Sequence, residues 1–190
     1  LRERLIAAGH LCLDPSPLLP ADAEGLVVRS SRVDAALMDR SPGLKFIARA
    51  GSGLENVDVA HAAARGITVH ASPEGNRDGV GETAVLLLLM LLKNAAMATN
   101  ATRQGDWPRE ASRGLELHGR TVGVIGHGHM GSAFTERLAG FGVRILAYDK
   151  YRTAYAPDHV EETGLKEVMR ECEIISLHLP LNAGTHHFVD

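Results

Sequence analysis

The sequence predicts an α/β chain made of two parallel-sheet units with helices on the sheet faces. Two observations carry that prediction. From Gly25 to Val69, short runs of Val, Ile and Leu alternate with helix-length segments, the rhythm of parallel strands joined by crossover helices. From Thr121 to Leu177 the rhythm recurs, and the run Thr121-Val-Gly-Val-Ile125 leads straight into glycines at 126, 128 and 131. A length of 190 residues, 45% of them apolar and 23% charged, is enough for two small units each with a buried core.

Leu1 to Gly9 is an amphipathic helix ended by its glycine. His10-Leu-Cys-Leu13 reads as a short strand, and Pro15, Pro17 and Pro20 mark a loop. Gly25 to Arg29 is a buried parallel strand, Val33 to Arg40 a short helix closed by Ser41-Pro42, and Leu44 to Arg49 the next strand. Asp58 to Arg65 is a helix stopped at Gly66, and Ile67-Thr-Val69 is another strand. Ala71 to Gly81 is a polar loop. One long helix is expected from Glu82 to about Gln104, its first half apolar on every side and so buried between layers. Gly105-Asp-Trp-Pro108 ends it, and Arg109 to Arg120 is a charged connector. A strand (121–125), a helix from Met130, a strand (144–148), a polar segment to Thr163, a helix from Leu165 to about Cys172 and a strand (173–177) complete the chain.

The expected division is therefore 1–81, without the glycine turn, and 82–190, with it and with only three strands. The first residue is not Met and no strand precedes the first helix, so the chain is expected to be an interior piece of a longer protein, cut at both ends.

Composition argues against several functions. A net charge of −3 with no Lys/Arg cluster gives no footprint for nucleic acid. The longest apolar run, Ala84 to Leu92, has nine residues, whereas a membrane span needs roughly twenty. Cys12 and Cys172 stand apart with no disulfide framework, which makes the cytoplasm the expected compartment. The closest histidine pairs, His127/His129 and His186/His187, lack the spacing of a closed metal site, and no metal is expected. With no nucleophile elbow, no phosphate-loop lysine and no paired carboxylates, any chemistry belongs to a cofactor.

Strand, glycine turn, helix, strand and acid follow one another in the order of a dinucleotide-binding βαβ unit. Gly126 suits the tight turn, Gly128 the approach of backbone to a pyrophosphate, and Gly131 close packing of helix on sheet. His129 and Met130 open the helix whose free N–H groups would face the phosphates. Asp149, eighteen residues past the last glycine, would accept hydrogen bonds from both ribose hydroxyls and repel a 2′-phosphate, so NAD is expected over NADP.

Three further stretches carry candidate residues. In Arg49-Ala-Gly-Ser-Gly53 the N–H groups of Ser52 and Gly53 could hold a carboxylate, with Arg49 adding a charge-assisted contact; the same residues also make a plain strand-to-helix turn. In the loop 74–82, Asn76 suits a hydrogen bond to a substrate or to the nicotinamide ribose and Val80 a flat ring; a solvated linker is the alternative. His178-Leu179-Pro180 follows a strand end and reads as lining the adenine side, Leu179 and Pro180 giving apolar contact.

Four ordered stretches, Arg49 to Asp58, Pro73 to Glu82, Gly126 to Gly131 with Asp149, and Ser176 to Leu181, resemble the D-isomer-specific 2-hydroxyacid dehydrogenases. The resemblance implies two Rossmann/flavodoxin-like parallel-sheet domains, an NAD domain inserted into a split substrate domain, and an active site in the cleft between them. It implies hydride transfer between a D-2-hydroxy acid and NAD, with 3-phosphoglycerate the favoured substrate. Ser52 and Gly53 would hold the substrate carboxylate, Arg49 its anionic end, and Asn76 would lie near both ligands. His129 and Met130 would sit on the pyrophosphate and Asp149 on the adenosine ribose. A homodimer or higher oligomer is implied, built on the NAD domain and its long helices. The family's catalytic Arg, Glu and His are expected after Asp190, so no catalytic residue is expected in this chain. Thr83 departs from the larger ring or His that usually follows the loop glutamate. The alternative is an NAD-binding regulatory or scaffolding protein on the same fold.

Overall fold

The computed structural model describes residues 1–13 and 20–189, so the loop expected at Pro15 and Pro17 lies outside the described residues. The chain divides into two units, Leu1–Pro73 and Glu74–Asp190. The boundary expected after residue 81 moves back because the residues before it already form a helix of the second unit.

In the first unit α1 (Arg2–Ala7) forms as expected, with Gly9 at φ +87°, although none of its residues is buried. The strand expected at His10–Leu13 is absent: Leu11 is 88% exposed and no described strand pairs with it. Three strands, β1 (Gly25–Val28), β2 (Phe46–Arg49) and β3 (Thr68–Ala71), pair in parallel in that order. The connecting helices start where aspartates stand. Asp34 accepts the Leu37 N–H (3.0 Å) to cap α2 (Ala35–Asp39), and Asp58 accepts the His61 N–H (2.9 Å) to cap α3 (Val59–Ala64). Each carboxylate satisfies a donor that has no partner inside its own helix. Val28, Met38, Ile47, Ala62 and Ile67 bury together on one face of this sheet. On the other face Val27 and Phe46 remain 45% and 40% exposed. The strand at 25–29, expected to be buried, is therefore half-buried.

The second unit opens with α4 (Arg77–Leu92) and α5 (Ala95–Arg103). Its sheet contains β4 (Thr121–Ile125), β5 (Arg144–Tyr148), β6 (Glu161–Glu162) and β7 (Ile174–Leu177), all parallel, in the order β6-β5-β4-β7. There are thus four strands where three were expected, the extra one being two glutamates paired with Leu146 and Ala147. Side chains alternate across this sheet as the pleat requires. Val122, Val124, Ile145 and Ala147 meet Phe134 and Leu138 of α6 (His129–Leu138) and Leu88 of α4. Ile125 and Leu146 meet Val168 of α7 (Leu165–Glu171) on the opposite face. Helix α4 rests on α6 through Gly81, where an added Cβ would lie 2.8 Å from the Ala133 carbonyl oxygen.

The long helix departs from expectation in three ways. It starts at Arg77, inside the expected polar loop. It breaks after Leu92, and α5 leaves at 69° to α4. The break has a tertiary cause: Leu115 of the connector donates its N–H to the Leu92 carbonyl (2.7 Å), and Asn94, left-handed at φ 50°, donates Nδ2 to the Arg113 carbonyl (3.0 Å). The connector thereby takes over the hydrogen bonding of the helix end. Third, the apolar first half is not enclosed: Leu86, Leu87 and Leu91 are 56%, 60% and 76% exposed, and only Gly81 and Leu88 are buried. Among the described residues no single helix is long and apolar enough to cross a membrane.

Asn94 offers a direct check on the break. Asn94→Ala places an ordinary side chain in the left-handed region and should cost about 1–2 kcal/mol, read as a lower urea midpoint. Asn94→Gly should cost about 1 kcal/mol or less, since only the hydrogen bond goes. Equal losses for both would remove the conformational part of this explanation.

Candidate functional site

The end of β4 sets the site's geometry. Gly126 takes φ +89°, and a Cβ there would lie 2.5 Å from the His178 carbonyl oxygen and 3.0 Å from Leu179. The chain then enters α6 so closely that a Cβ on Gly131 would overlap the Gly126 carbonyl oxygen. Gly128, between them, is different: nothing lies within 4 Å of the space its Cβ would take. Two glycines are thus demanded by the protein's own packing, and the middle one leaves a cradle open.

Gly128 is also the N-cap of α6 and supplies no side-chain cap. The first N–H groups of the helix, at His129, Met130 and Gly131, have no intrahelical acceptor, and the helix dipole adds partial positive charge there. Asp149 stands beside this turn at the end of β5. Its Oδ2 accepts the His127 N–H (2.9 Å) and its Oδ1 the Tyr151 N–H (2.9 Å). Each carboxylate oxygen keeps acceptor capacity beyond those bonds. The expected residues Gly126, Gly128, His129, Met130, Gly131 and Asp149 therefore converge on one turn, with His178 and Leu179 packed against its first glycine.

A second hollow of 890 Å³ lies within the same unit and is lined in part by Asn76, Val80, Thr83, Leu87, Phe134 and His178. Asn76 precedes α4 as its N-cap and Val80 lies in the first turns, so the early helix start is what brings both into this wall. The His178 ring lies 5.3 Å from that of Phe134, and its Nε2 is 2.9 Å from Ser176 Oγ. Burial, helped by the neighbouring His127, holds the His178 pKa below its usual value. Pro180 is exposed. Salt bridges from Arg137 to Asp78 (3.0 Å) and from Arg77 to Glu136 tie the first turn of α4 to α6.

Arg49, Ser52 and Gly53 lie in the first unit, at and beyond the end of β2. Arg49 is already engaged: Nε donates to the Arg29 carbonyl (3.1 Å) and Nη2 pairs with Glu55 (3.4 Å). The Glu55 carboxylate lies where a Cβ on Gly53 would be. This small-residue turn is filled from within by the chain's own acid.

Of four further residues of the site, Arg152, Tyr155 and Glu162 were not singled out from sequence, and His127 was weighed only as a metal ligand. His127 is 1% exposed, bonds Thr135 Oγ1 through Nε2 (3.1 Å), and stacks 5.1 Å from Tyr155. Its Nδ1 is buried with no partner among the described residues. Desolvation, followed by the charge of Arg152, lowers its pKa. Arg152 donates Nη1 to the His127 carbonyl at 2.5 Å, and its guanidinium lies 5.7 Å from the Tyr155 ring centre. Tyr155 bonds the Ala147 carbonyl (2.9 Å), and burial, with the charge of Glu162 next, pushes its pKa up to about 12. Glu162 accepts the N–H groups of Ala154 (3.1 Å), Tyr155 and Ala156 (2.9 Å), bonds that hold its pKa down. The spacing of Arg152, three residues past the acid, was the available signal.

A parallel sheet, a glycine turn opening a helix and an acid at the next strand end define a dinucleotide-binding α/β protein of the Rossmann class. Residues 85–190 match the family described as D-isomer specific 2-hydroxyacid dehydrogenase, NAD binding domain. The chain is 36% identical over 191 residues to a hydroxypyruvate reductase of Thermotoga maritima, covering 99% of this chain and 61% of that protein. It is 38% identical over 185 residues to a D-3-phosphoglycerate dehydrogenase of Mycobacterium leprae, covering 93% of this chain and 34% of the relative. The solved NAD-dependent formate dehydrogenase of Staphylococcus aureus in complex with NAD superposes with a TM-score of 0.78 at 27% identity, over 90% of this chain and 53% of that one. The chain belongs to the D-isomer specific 2-hydroxyacid dehydrogenase family, and NAD is the cofactor of the matched domain. It spans less than two thirds of the length of each of these three proteins.

The lowered pKa values of His127 and His178 give the site a pH signature. Both rings take a proton less readily in the folded protein than in the unfolded chain, which therefore takes up protons first as pH falls below the ordinary histidine value of about 6.5. Their stabilising contribution is therefore complete above that pH and is lost as pH drops towards the folded values. His127→Gln, which keeps a side chain able to bond Thr135 but does not titrate, should show a smaller fall in melting temperature between pH 7.5 and pH 5.5 than the parent. An identical fall in both would contradict a buried neutral His127.

Proposed function

We propose that the protein acts as an NAD-dependent D-2-hydroxyacid dehydrogenase, with 3-phosphoglycerate as the favoured substrate. The observation that carries the cofactor half is the open cradle at Gly128, bounded by two tightly packed glycines and by the α6 N–H groups that have no intrahelical acceptor. Those N–H groups, at His129, Met130 and Gly131, hold the pyrophosphate. Asp149 accepts the adenosine ribose hydroxyls with the capacity its two backbone bonds leave. His178, Leu179 and Pro180 flank the adenine, Val80 packs on a flat ring, and Asn76 hydrogen-bonds the nicotinamide ribose or the substrate. When bound, NAD supplies the hydride acceptor. The chain's residues position it and shield it from water.

The substrate half rests on Ser52 and Gly53, whose N–H groups suit a carboxylate, and on Arg49. Glu55, paired with Arg49 Nη2, competes with a substrate anion for that guanidinium. A second reading, cofactor binding without turnover, draws support from that same ion pair. The proposed assembly is a homodimer through the exposed leucines of α4, in the cytoplasm, with no nucleic acid or membrane partner.

Turnover separates the two readings. NADH absorbance should rise when the full-length protein meets NAD and 3-phosphoglycerate, or another 2-hydroxy acid. Measurable NAD binding with no turnover on any of them would favour the second reading. Asp149→Ala should weaken NAD binding about tenfold and relax the preference against NADP; an unchanged cofactor ratio would refute the ribose role.

A further inference from the structure

We propose that Arg152 is a cation already in place for a 2′-phosphate, so that the Asp149 carboxylate alone holds the preference for NAD over NADP. The proposal rests on the reading of Asp149 given above and extends it to a second residue.

The two charges grip the main chain of a single residue from opposite ends. Asp149 Oδ2 accepts the His127 N–H at 2.9 Å, and Arg152 Nη1 donates to the His127 carbonyl at 2.5 Å. Both therefore sit at the entrance to the glycine turn. A ribose hydrogen-bonded to Asp149 carries its 2′-oxygen to this pair.

Arg152 has capacity to spare. Its partners are the His127 carbonyl and the Tyr155 ring, and among the described residues no carboxylate lies within ion-pair distance of it. The other arginines near the glycine turn are spent: Arg77 pairs with Glu136, and Arg137 with Asp78 and Glu82. A guanidinium presents several N–H donors in a planar fork that matches phosphate oxygens, and Arg152 uses one of them on a carbonyl. With Gly128, His129 and Ser132 it lines a hollow of 630 Å³ against α6.

The loop that carries Arg152 is tied down. Glu162 accepts three successive N–H groups from Ala154 to Ala156, and the Tyr155 hydroxyl reaches the Ala147 carbonyl on β5. Little ordering remains to be done when a ligand arrives, and preorganised charge binds better for that reason. Lys150, the nearest other cation in sequence, lies over the Tyr151 ring at 5.6 Å and makes no bond to the turn. Glu136 lines the same hollow but is paired with Arg77, so a 2′-phosphate at the ribose end meets Asp149 as the unpaired repulsive charge and Arg152 as the attractive one. Removing the first leaves the second in possession of the site.

Calorimetric titration of NAD and of NADP into the protein tests this, the readout being the ratio of the two dissociation constants. Asp149→Asn should shift the ratio towards NADP by about tenfold or more. Adding Arg152→Gln should reverse most of that shift, while Lys150→Gln in its place should not. Retained NAD binding in each variant shows that the site is still folded, and Arg152→Lys should keep part of the shift because the charge survives. If Asp149→Asn moves the ratio and Arg152→Gln leaves it there, the proposal fails and the reading of Asp149 stands. If Asp149→Asn changes neither affinity, the reading of Asp149 fails and takes the proposal with it.

Discussion

Everything in the second unit depends on one close approach, the main chain of Gly131 lying against the carbonyl of Gly126. That contact aims α6 back across the end of β4. It sets the first turn of α6 beside the open space at Gly128 and lays Phe134 and Leu138 over Val122 and Val124. A side chain at either glycine would push the helix off the strand, and the cradle and the core would be lost together. Helix α4 depends on the same placement, since Gly81 can approach only where Ala133 has been brought.

Magnitudes show which forces hold this arrangement. Fully burying Phe134, Leu138 or Ile145 is worth about 1.5–3 kcal/mol each. The ion pairs that join α4 to α6 involve exposed carboxylates, Asp78 at 75% and Glu82 at 73%, and exposed pairs contribute about 0–1 kcal/mol. Packing thus holds the helices, and the charges select which turn of α4 meets α6. Electrostatics matter more at the entrance to the glycine turn, where Asp149 and Arg152 are fixed by backbone bonds and act on whatever the cradle admits.

Most of the strands and the glycine turn were legible because their signals are local. Val122, Val124, Ile145 and Ala147 alternate as a pleated strand must, and glycines at 126, 128 and 131 followed by Asp149 have few other uses in that order. What was missed is decided at long range. The start of α4 was hidden by Gly75, Gly79 and Gly81, poor helix formers, yet Gly81 is what permits the contact with Ala133. The break at Asn94 comes from a connector about twenty residues further on, through Leu115 and Arg113. The strand at Glu161–Glu162 has no apolar pattern, because its edge position leaves both side chains exposed. In the site, His127, Arg152 and Tyr155 meet only after the segment 150–160 folds back over the turn, pinned by Glu162, and beyond the spacing of Arg152 from Asp149 nothing in the sequence announces that closure.

The turn from Gly126 to Gly131, with Asp149, is the proposed seat of NAD. Backbone amide NMR spectra recorded during an NAD titration test it most directly. The largest shift changes are expected at Gly128, His129, Met130, Gly131 and Asp149, with the amides of β1 and α2 staying close to their starting positions. Saturable NAD binding that leaves the amides of Gly128 to Gly131 unmoved would contradict it.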